Sequence, residues 1–375
     1  MTEKIDAFLR REEVPSPCLV VDLDAVADAY ARFRVAFPQA KVLYAMKANP
    51  APAVLARLLA LGAGIDVSSR AEIVRCLELG ADPAALSYGS TIKKAADVAW
   101  AYEQGVRIFA FDAAAELDKL AVHAPGAEVY CRLLVDNDGA AWPLARKFGC
   151  DVPMARGLLR AARDRGLAVR GAAVHIGSQQ TDAGTWDAAI ATVAKLYAEL
   201  ERDGLELIHV NLGGGFPARY RDDAAELEAH ATAIEHAMAR HFGNRQPAIL
   251  LEPGRFLVAD AGVLQAEVVL VARKSAGDAI RWVYLDVGRF SGLGETEGEA
   301  IRYRIATDRD GGAEGPVVIA GPTCDSADIL YERADYRLPL DLAVADRVRF
   351  LSAGAYTASM ASSFNGIDRL REFYI

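Results

Sequence analysis

From about residue 24 to residue 255, short apolar runs alternate with longer stretches rich in Ala, Leu, Arg and Glu. The runs are Val42–Ala45, Gly64–Val67, Leu86–Gly89, Ile108–Asp112, Val129–Leu134, Ala172–Ile176, His209–Leu212 and Ile249–Glu252. Each is too short for a stable helix and apolar enough for a strand buried on both faces. Between them, segments such as Ala51–Leu61, Arg70–Leu79, Met154–Arg165, Ala183–Arg202 and Ala224–His241 carry apolar residues at helical spacing with few breakers. An open doubly wound α/β sheet and a closed (β/α)₈ barrel share this alternation, and eight strands favour the barrel.

After Arg255 the pattern changes. Phe256–Arg273, Ile280–Asp286, Pro316–Ala320, Leu338–Leu340 and Arg347–Leu351 read as strands between Gly/Asp turns, with little helical periodicity. The opening segment Ser16–Asp22 is strand-like as well and can pair with that C-terminal region. A chain of 375 residues exceeds what one small core serves. The expected organisation is a barrel over 24–255 and a β-sandwich or β-barrel-like domain built from 1–23 and 256–375.

Composition narrows the function. A net charge of −9 argues against a nucleic-acid partner, which favours a basic face, and is compatible with a cationic small substrate. The five cysteines (18, 76, 131, 150, 324) are odd in number and lack paired spacing. A disulfide framework or structural zinc is therefore not expected, and a reducing, cytoplasmic setting is. The opening MTEKIDAFLRREE has neither the apolar core nor the cleavage site of a secretory signal. No run approaches the roughly 18 uncharged apolar residues of a membrane span.

Barrel enzymes carry their reactive groups at the C-terminal ends of the strands. Those ends hold Lys47, Asp66, Arg132, His175 with Ser178, Gly213–Gly215, and Glu252 with Arg255. Lys47, in YAMKANP, is either an amine held for covalent chemistry or a lysine snorkelling out of a strand terminus. Gly213-Gly214-Gly215 follows the seventh strand, where barrels often bind phosphate; a flexible turn is the plain alternative. Glu252 can hold a protonated ring nitrogen or pair with Arg255. His175 can stack on an aromatic ring, act as a general acid, or sit as a satisfied core histidine. No second ligand stands near it at metal-binding spacing, so no metal is expected. Cys324 and Asp325 in GPTCDS, and Tyr356 in GAYT, put reactive side chains beside Gly or Pro. Glu295, Glu297 and Glu299 form an acidic cluster, usually a solvated face.

Taken in order, YAMKANP, GIDVSSRAEI, HIGSQ, GGGFP, EPGRFLVADAG, GPTCDSAD and GAYTASMASSFNG resemble the motifs of the fold-type III pyridoxal phosphate decarboxylases. That group contains the ornithine, lysine, arginine and diaminopimelate decarboxylases, and the likeness is to the ornithine-type branch. It runs from about residue 16 to the C-terminus. It implies an alanine racemase-like pairing of barrel and β domain, pyridoxal 5'-phosphate as cofactor, and a homodimer with active sites shared across the interface. By the same resemblance Lys47 is the Schiff-base lysine, Glu252 the partner of the pyridinium nitrogen, and His175 the residue stacked on the ring. Gly213, Gly214, Gly215, Ser178 and Arg255 bind or frame the phosphate, Tyr356 also reaches it, and Asp66 and Arg132 stand near the cofactor. Cys324 is the proton donor to the product carbon and Asp325 the contact for the substrate's distal amine, both inserted into the neighbouring subunit's site.

The leading substrate is L-ornithine, giving putrescine for polyamine synthesis, with lysine second. The diaminopimelate branch carries an arginine shortly after the Asp-x-Gly turn; here Asp286-Val287-Gly288 is followed by Arg289, which falls early. That branch also has Cys-Glu-Ser where this chain has Cys324-Asp325-Ser326. Glu299 stands where eukaryotic-type ornithine enzymes place an Asp for the distal amine, and Glu295 is an alternative. Two rivals come from other classes. Glu252 and the Cys-Asp pair oppose a pyridoxal phosphate racemase; the intact cofactor motifs oppose a non-catalytic regulator of polyamine synthesis.

Overall fold

Eight parallel strands close on themselves in the order of the chain. They are Lys41–Ala45, Gly64–Val67, Leu86–Tyr88, Ile108–Phe111, Glu128–Arg132, Ala168–Ala173, His209–Asn211 and Ala248–Leu251, and the last pairs with the first through Leu250↔Lys41 and Leu251↔Val42. The barrel reading of the alternation is therefore the right one. This computed structural model describes residues 1–11, 14–142 and 147–375. It divides into a barrel unit, Ala29–Pro217 with Ala224–Gly254, and a β unit, Met1–Asp28, Ala218–Asp223 and Arg255–Ile375.

Leu43, Ile108, Tyr130, Ala173 and Leu250 pack together, all buried. They come from the first, fourth, fifth, sixth and eighth strands, and residues of strands on opposite walls meet only in a filled interior. Outside, two of the helices start at a side-chain cap that the sequence supplies. Ser69 accepts the Glu72 N–H at 3.3 Å, and Glu72 reaches back to the Ser68 N–H at 2.6 Å, opening Arg70–Glu78. Asp151 caps Met154 at 2.8 Å and Pro153 sits in the first turn. That cap starts the helix at Val152, two residues before the periodicity alone suggests. A two-stranded antiparallel sheet, Ala140–Trp142 with Ser178–Gln180, lies outside the barrel ladder and carries Ser178.

The β unit's main sheet runs Ile305–Thr307, Arg347–Leu351, Gly262–Ala272, Arg281–Leu285, Glu314–Ala320, Ile329–Pro339. Cys18–Val21 joins it, antiparallel to Gly262–Ala272 and parallel to Arg371–Tyr374. The N-terminal strand thus does pair with the C-terminal region. Two details differ from the sequence reading. Phe256 lies in a short helix, Arg255–Val258, and the strand begins only at Gly262, where a side chain would put Cβ 2.3 Å from the Gly354 Cα. The segment ending at Leu340 is also far longer than expected, because Ile329–Pro339 stays paired through a register shift despite its charged residues. All five cysteines are free thiols. Among the described residues no helix is long and apolar enough to cross a membrane.

Candidate active site

Most of the residues singled out in the barrel gather at the C-terminal ends of its strands. Lys47 sits in a tight turn, Met46–Ala48, directly after the first strand, and its Nζ is 3.9 Å from Oδ2 of Asp66 on the second. Asp66 is 3% exposed, and its Oδ1 has no hydrogen-bond partner among the described residues. Burial first, and then the charge of Glu252, push its carboxyl well above the ordinary aspartate range, against the pull of Lys47 and Arg132. Arg132 ends the fifth strand, with its guanidinium 5.0 Å from the Phe148 ring centre.

His175 lies two residues past the sixth strand. Burial, helped by the cations Arg132 and Lys47, holds its pKa well below 6.5, so the ring is neutral. Its Nδ1 accepts the Gly177 N–H at 3.1 Å, which leaves the ring proton on Nε2. A flat, neutral imidazole with one face of the site to cover suits stacking better than proton donation.

The glycine run is a cradle rather than a loose turn. Gly213 and Gly215 have φ of +71° and +106°. A Cβ at Gly213, Gly214 or Gly215 would stand 2.5 Å from the carbonyl oxygen of Val174, Glu252 or Gly177, respectively. Two backbone bonds fix the run: Glu252 N–H to Gly213 O at 2.7 Å and Gln180 N–H to Gly215 O at 2.9 Å. Asn211 ties the run to the acid next door, accepting the Gly213 N–H at 2.8 Å and donating to Glu252 Oε1 at 2.5 Å. The sequence reading passed over Asn211, although a polar residue inside an otherwise apolar strand, two before three glycines, was the available signal.

The β unit holds a second cluster. Arg255, buried, donates through both terminal nitrogens to Glu295 at 2.6 and 2.7 Å and to Tyr220 OH at 2.8 Å. Its guanidinium also lies 4.7 Å from the ring centre of Tyr356, a residue held at φ +57°. Of the acidic cluster only Glu297 is exposed. Glu295 is clasped by Arg255. Glu299 Oε1 accepts the N–H groups of Glu332 and Arg333 at 2.9 and 2.8 Å; these outweigh burial, which by itself would raise the carboxyl, and hold it below the usual range. Cys324 and Asp325 lie on an exposed turn. Beneath them Asp328, buried and unforeseen, accepts the N–H groups of Arg289 at 2.7 Å and Thr323 at 3.1 Å, and its carbonyl accepts that of Gly321 at 2.8 Å.

This donor set fits a phosphorylated pyridine aldehyde. The barrel supplies an amine, an orphaned buried carboxyl oxygen, a neutral ring, a carboxylate and a backbone cradle that no side chain could enter. A profile of the pyridoxal binding domain of pyridoxal-dependent decarboxylases matches residues 23–259. The chain belongs to the pyridoxal-dependent decarboxylases.

This decarboxylase is 35% identical to a lysine/ornithine decarboxylase of Selenomonas ruminantium over 95% of its own length and 88% of the relative's. It superposes on a crystal structure of lysine decarboxylase from Selenomonas ruminantium with a TM-score of 0.89 at 33% identity, covering 100% of this chain and 96% of that one. The Paramecium bursaria Chlorella virus arginine decarboxylase superposes with a TM-score of 0.90 at 26% identity, covering both chains in full (100% each). The enzyme is thus a pyridoxal phosphate-dependent decarboxylase, as its motifs led us to expect.

Proposed function

We propose that this decarboxylase acts on L-ornithine first and on lysine second. One observation carries the choice of a distal ammonium over a distal carboxylate. Arg289, the cation nearest in sequence to the turn where a distal carboxylate would need one, is engaged on the backbone, its Nη2 donating to Ile329 O at 2.8 Å. Asp325 is exposed as well, and among the described residues its Oδ1 holds only the local Ala327 N–H at 2.8 Å. A carboxylate that keeps spare acceptor capacity suits an ammonium group. The naming of the Selenomonas ruminantium relative for both lysine and ornithine supports placing these two substrates together.

When bound, pyridoxal phosphate supplies an electron sink for the pair left on Cα as CO₂ departs. The residues of this chain do the rest. Lys47 contributes the amine that tethers the cofactor, and Glu252 holds a proton on its ring nitrogen. Neutral His175 covers a ring face, and Asp66 and Arg132 border it. Gly213, Gly214, Gly215 and Ser178 hold the phosphate. Within the β unit, Glu295 fixes Arg255 beside the Tyr356 ring. Cys324 returns a proton to Cα while Asp325 meets the distal amine, with Glu299 a further acid on that side. We further propose a homodimer in which Cys324 and Asp325 serve the partner's barrel.

CO₂ release compared across ornithine, lysine, arginine and diaminopimelate tests the substrate order. The expected ranking of kcat/KM is ornithine, then lysine, with diaminopimelate at background. Diaminopimelate as the best substrate overturns the proposal.

A further inference from the structure

Building on that function, we infer that Asn211 is a positioning residue that decides which of two neighbouring acids, Glu252 or Asp66, carries the negative charge. Asn211 ends the seventh barrel strand and is 5% exposed. Both ends of its amide are occupied. Oδ1 accepts a backbone N–H, that of Gly213, and a backbone N–H can only donate. The amide is therefore locked, and its NH₂ must face Glu252 Oε1, 2.5 Å away. An N–H donor at that distance stabilises an ionised acceptor over a protonated one.

Asp66 has no such help. Its Oδ1 is buried without a hydrogen-bond partner among the described residues, a poor place for a carboxylate and a tolerable one for a carboxylic acid. The charged groups that bear on Asp66 are Lys47, Arg132, Glu72 and Glu252, while His175 close by is neutral. Burial and Glu252 together outweigh the two cations, with Glu72 adding to the push. Two acids near each other settle with one proton between them when their surroundings differ. Here the surroundings differ in burial, Asp66 being buried and Glu252 only partly so, and in the amide that donates to Glu252 alone. The Asn211 NH₂ favours a negative Glu252 Oε1, the acid that the proposed function sets beneath a ring nitrogen, and the unpartnered, buried Oδ1 favours the proton on Asp66.

Asn211→Asp is the discriminating variant, because it keeps an acceptor for the Gly213 N–H and turns only the donor toward Glu252 into an oxygen. In the holoenzyme it is expected to bind pyridoxal phosphate within about threefold of wild type, to lower kcat about tenfold or more with little change in KM, and to move the pH titration of the cofactor's absorbance by about one unit. A residue that served packing alone would lower the melting temperature and leave that titration in place. Wild-type kcat with an unmoved titration overturns the inference. If Asn211→Asp does not fold, the infrared spectrum of the wild type decides at about pH 7. The protonated-carboxyl stretch should vanish in Asp66→Asn and persist in Glu252→Gln; the reverse pattern overturns the assignment. A wild-type protein that binds no pyridoxal phosphate or releases no CO₂ refutes the proposed function instead, and the infrared comparison still judges where the proton sits.

Discussion

Lys47 Nζ stands 3.9 Å from Oδ2 of the buried Asp66, with Ala45 and Asp66 in register on adjacent barrel strands. In the function proposed above, this amine at the end of the first barrel strand, beside a carboxyl, is the one that tethers the cofactor. Lys47→Ala should lower CO₂ release on the order of a thousandfold or more, and borohydride treatment of the variant should no longer fix cofactor to the chain. Near-normal turnover in that variant would remove the basis of the mechanism.

Cys324 and Asp325 lie exposed on the β unit's turn, available to another chain. If each site takes its lysine from one subunit and its cysteine from the other, neither Lys47→Ala nor Cys324→Ala alone is active. Mixed together, the two variants should regain up to about a quarter of wild-type activity, because a heterodimer rebuilds one intact site of two. No recovery after exchange has been verified by mass spectrometry would exclude the shared arrangement.

Asp328 pins that same turn. Its two carboxylate oxygens accept from the N–H of Thr323, in the loop bearing Cys324, and of Arg289, in the loop after the strand Arg281–Leu285. Asp328→Ala leaves buried N–H groups unsatisfied and should cost about 3 kcal/mol of stability. Asp328→Asn should recover only part of this, since its NH₂ must face one of the two donors. Urea titrations of both variants check the order, and an Asn variant as stable as wild type would show that the turn is held by other means.

Much of this molecule was legible in the sequence, and the reasons are specific. Eight apolar runs between helical stretches suffice for a barrel because parallel strands must be covered on both faces. Lys47, His175, the three glycines and Glu252 stood out because each breaks an apolar pattern at a strand end. Asn211, Tyr220 and Asp328 did not, since what they do depends on partners distant in the chain. The two buried members of the Glu295–Glu299 cluster misled for a related reason. A run of acids reads as solvated until an arginine 40 residues earlier, Arg255, is found clasping one of them.

Tyr197 bonds to two neighbouring strands of the barrel wall. From the helix Thr185–Arg202 its hydroxyl accepts the Ala172 N–H at 2.9 Å and donates to His209 O, joining the sixth and seventh strands. Gly171 makes the approach possible, as a Cβ there would lie 1.9 Å from His209 O. Tyr197→Phe strands a buried donor and its acceptor and should destabilise by roughly 1–3 kcal/mol. Hydrogen exchange at Ala172 should quicken with it; an unchanged rate would mean the hydroxyl is not part of the wall.

Behind the glycine cradle, Trp186 Nε1 donates to Nδ1 of His230 at 3.0 Å, and the Phe216 ring stands edge-on to the imidazole with centres 6.0 Å apart. His230 is wholly buried and its Nε2 has no partner among the described residues. Burial lowers its pKa from 6.5 to about 4. The folded state therefore takes up this proton later than the unfolded state as pH falls. Stability from the neutral ring is intact above 6.5 and drains away between 6.5 and 4, by about 2 kcal/mol from pH 7 to pH 5. His230→Gln keeps an acceptor for Trp186 and cannot be protonated. Its loss of melting temperature between pH 7 and pH 5 should be smaller than the wild type's by that equivalent, and parallel losses in the two proteins would show that His230 does not set the acid limit of the fold.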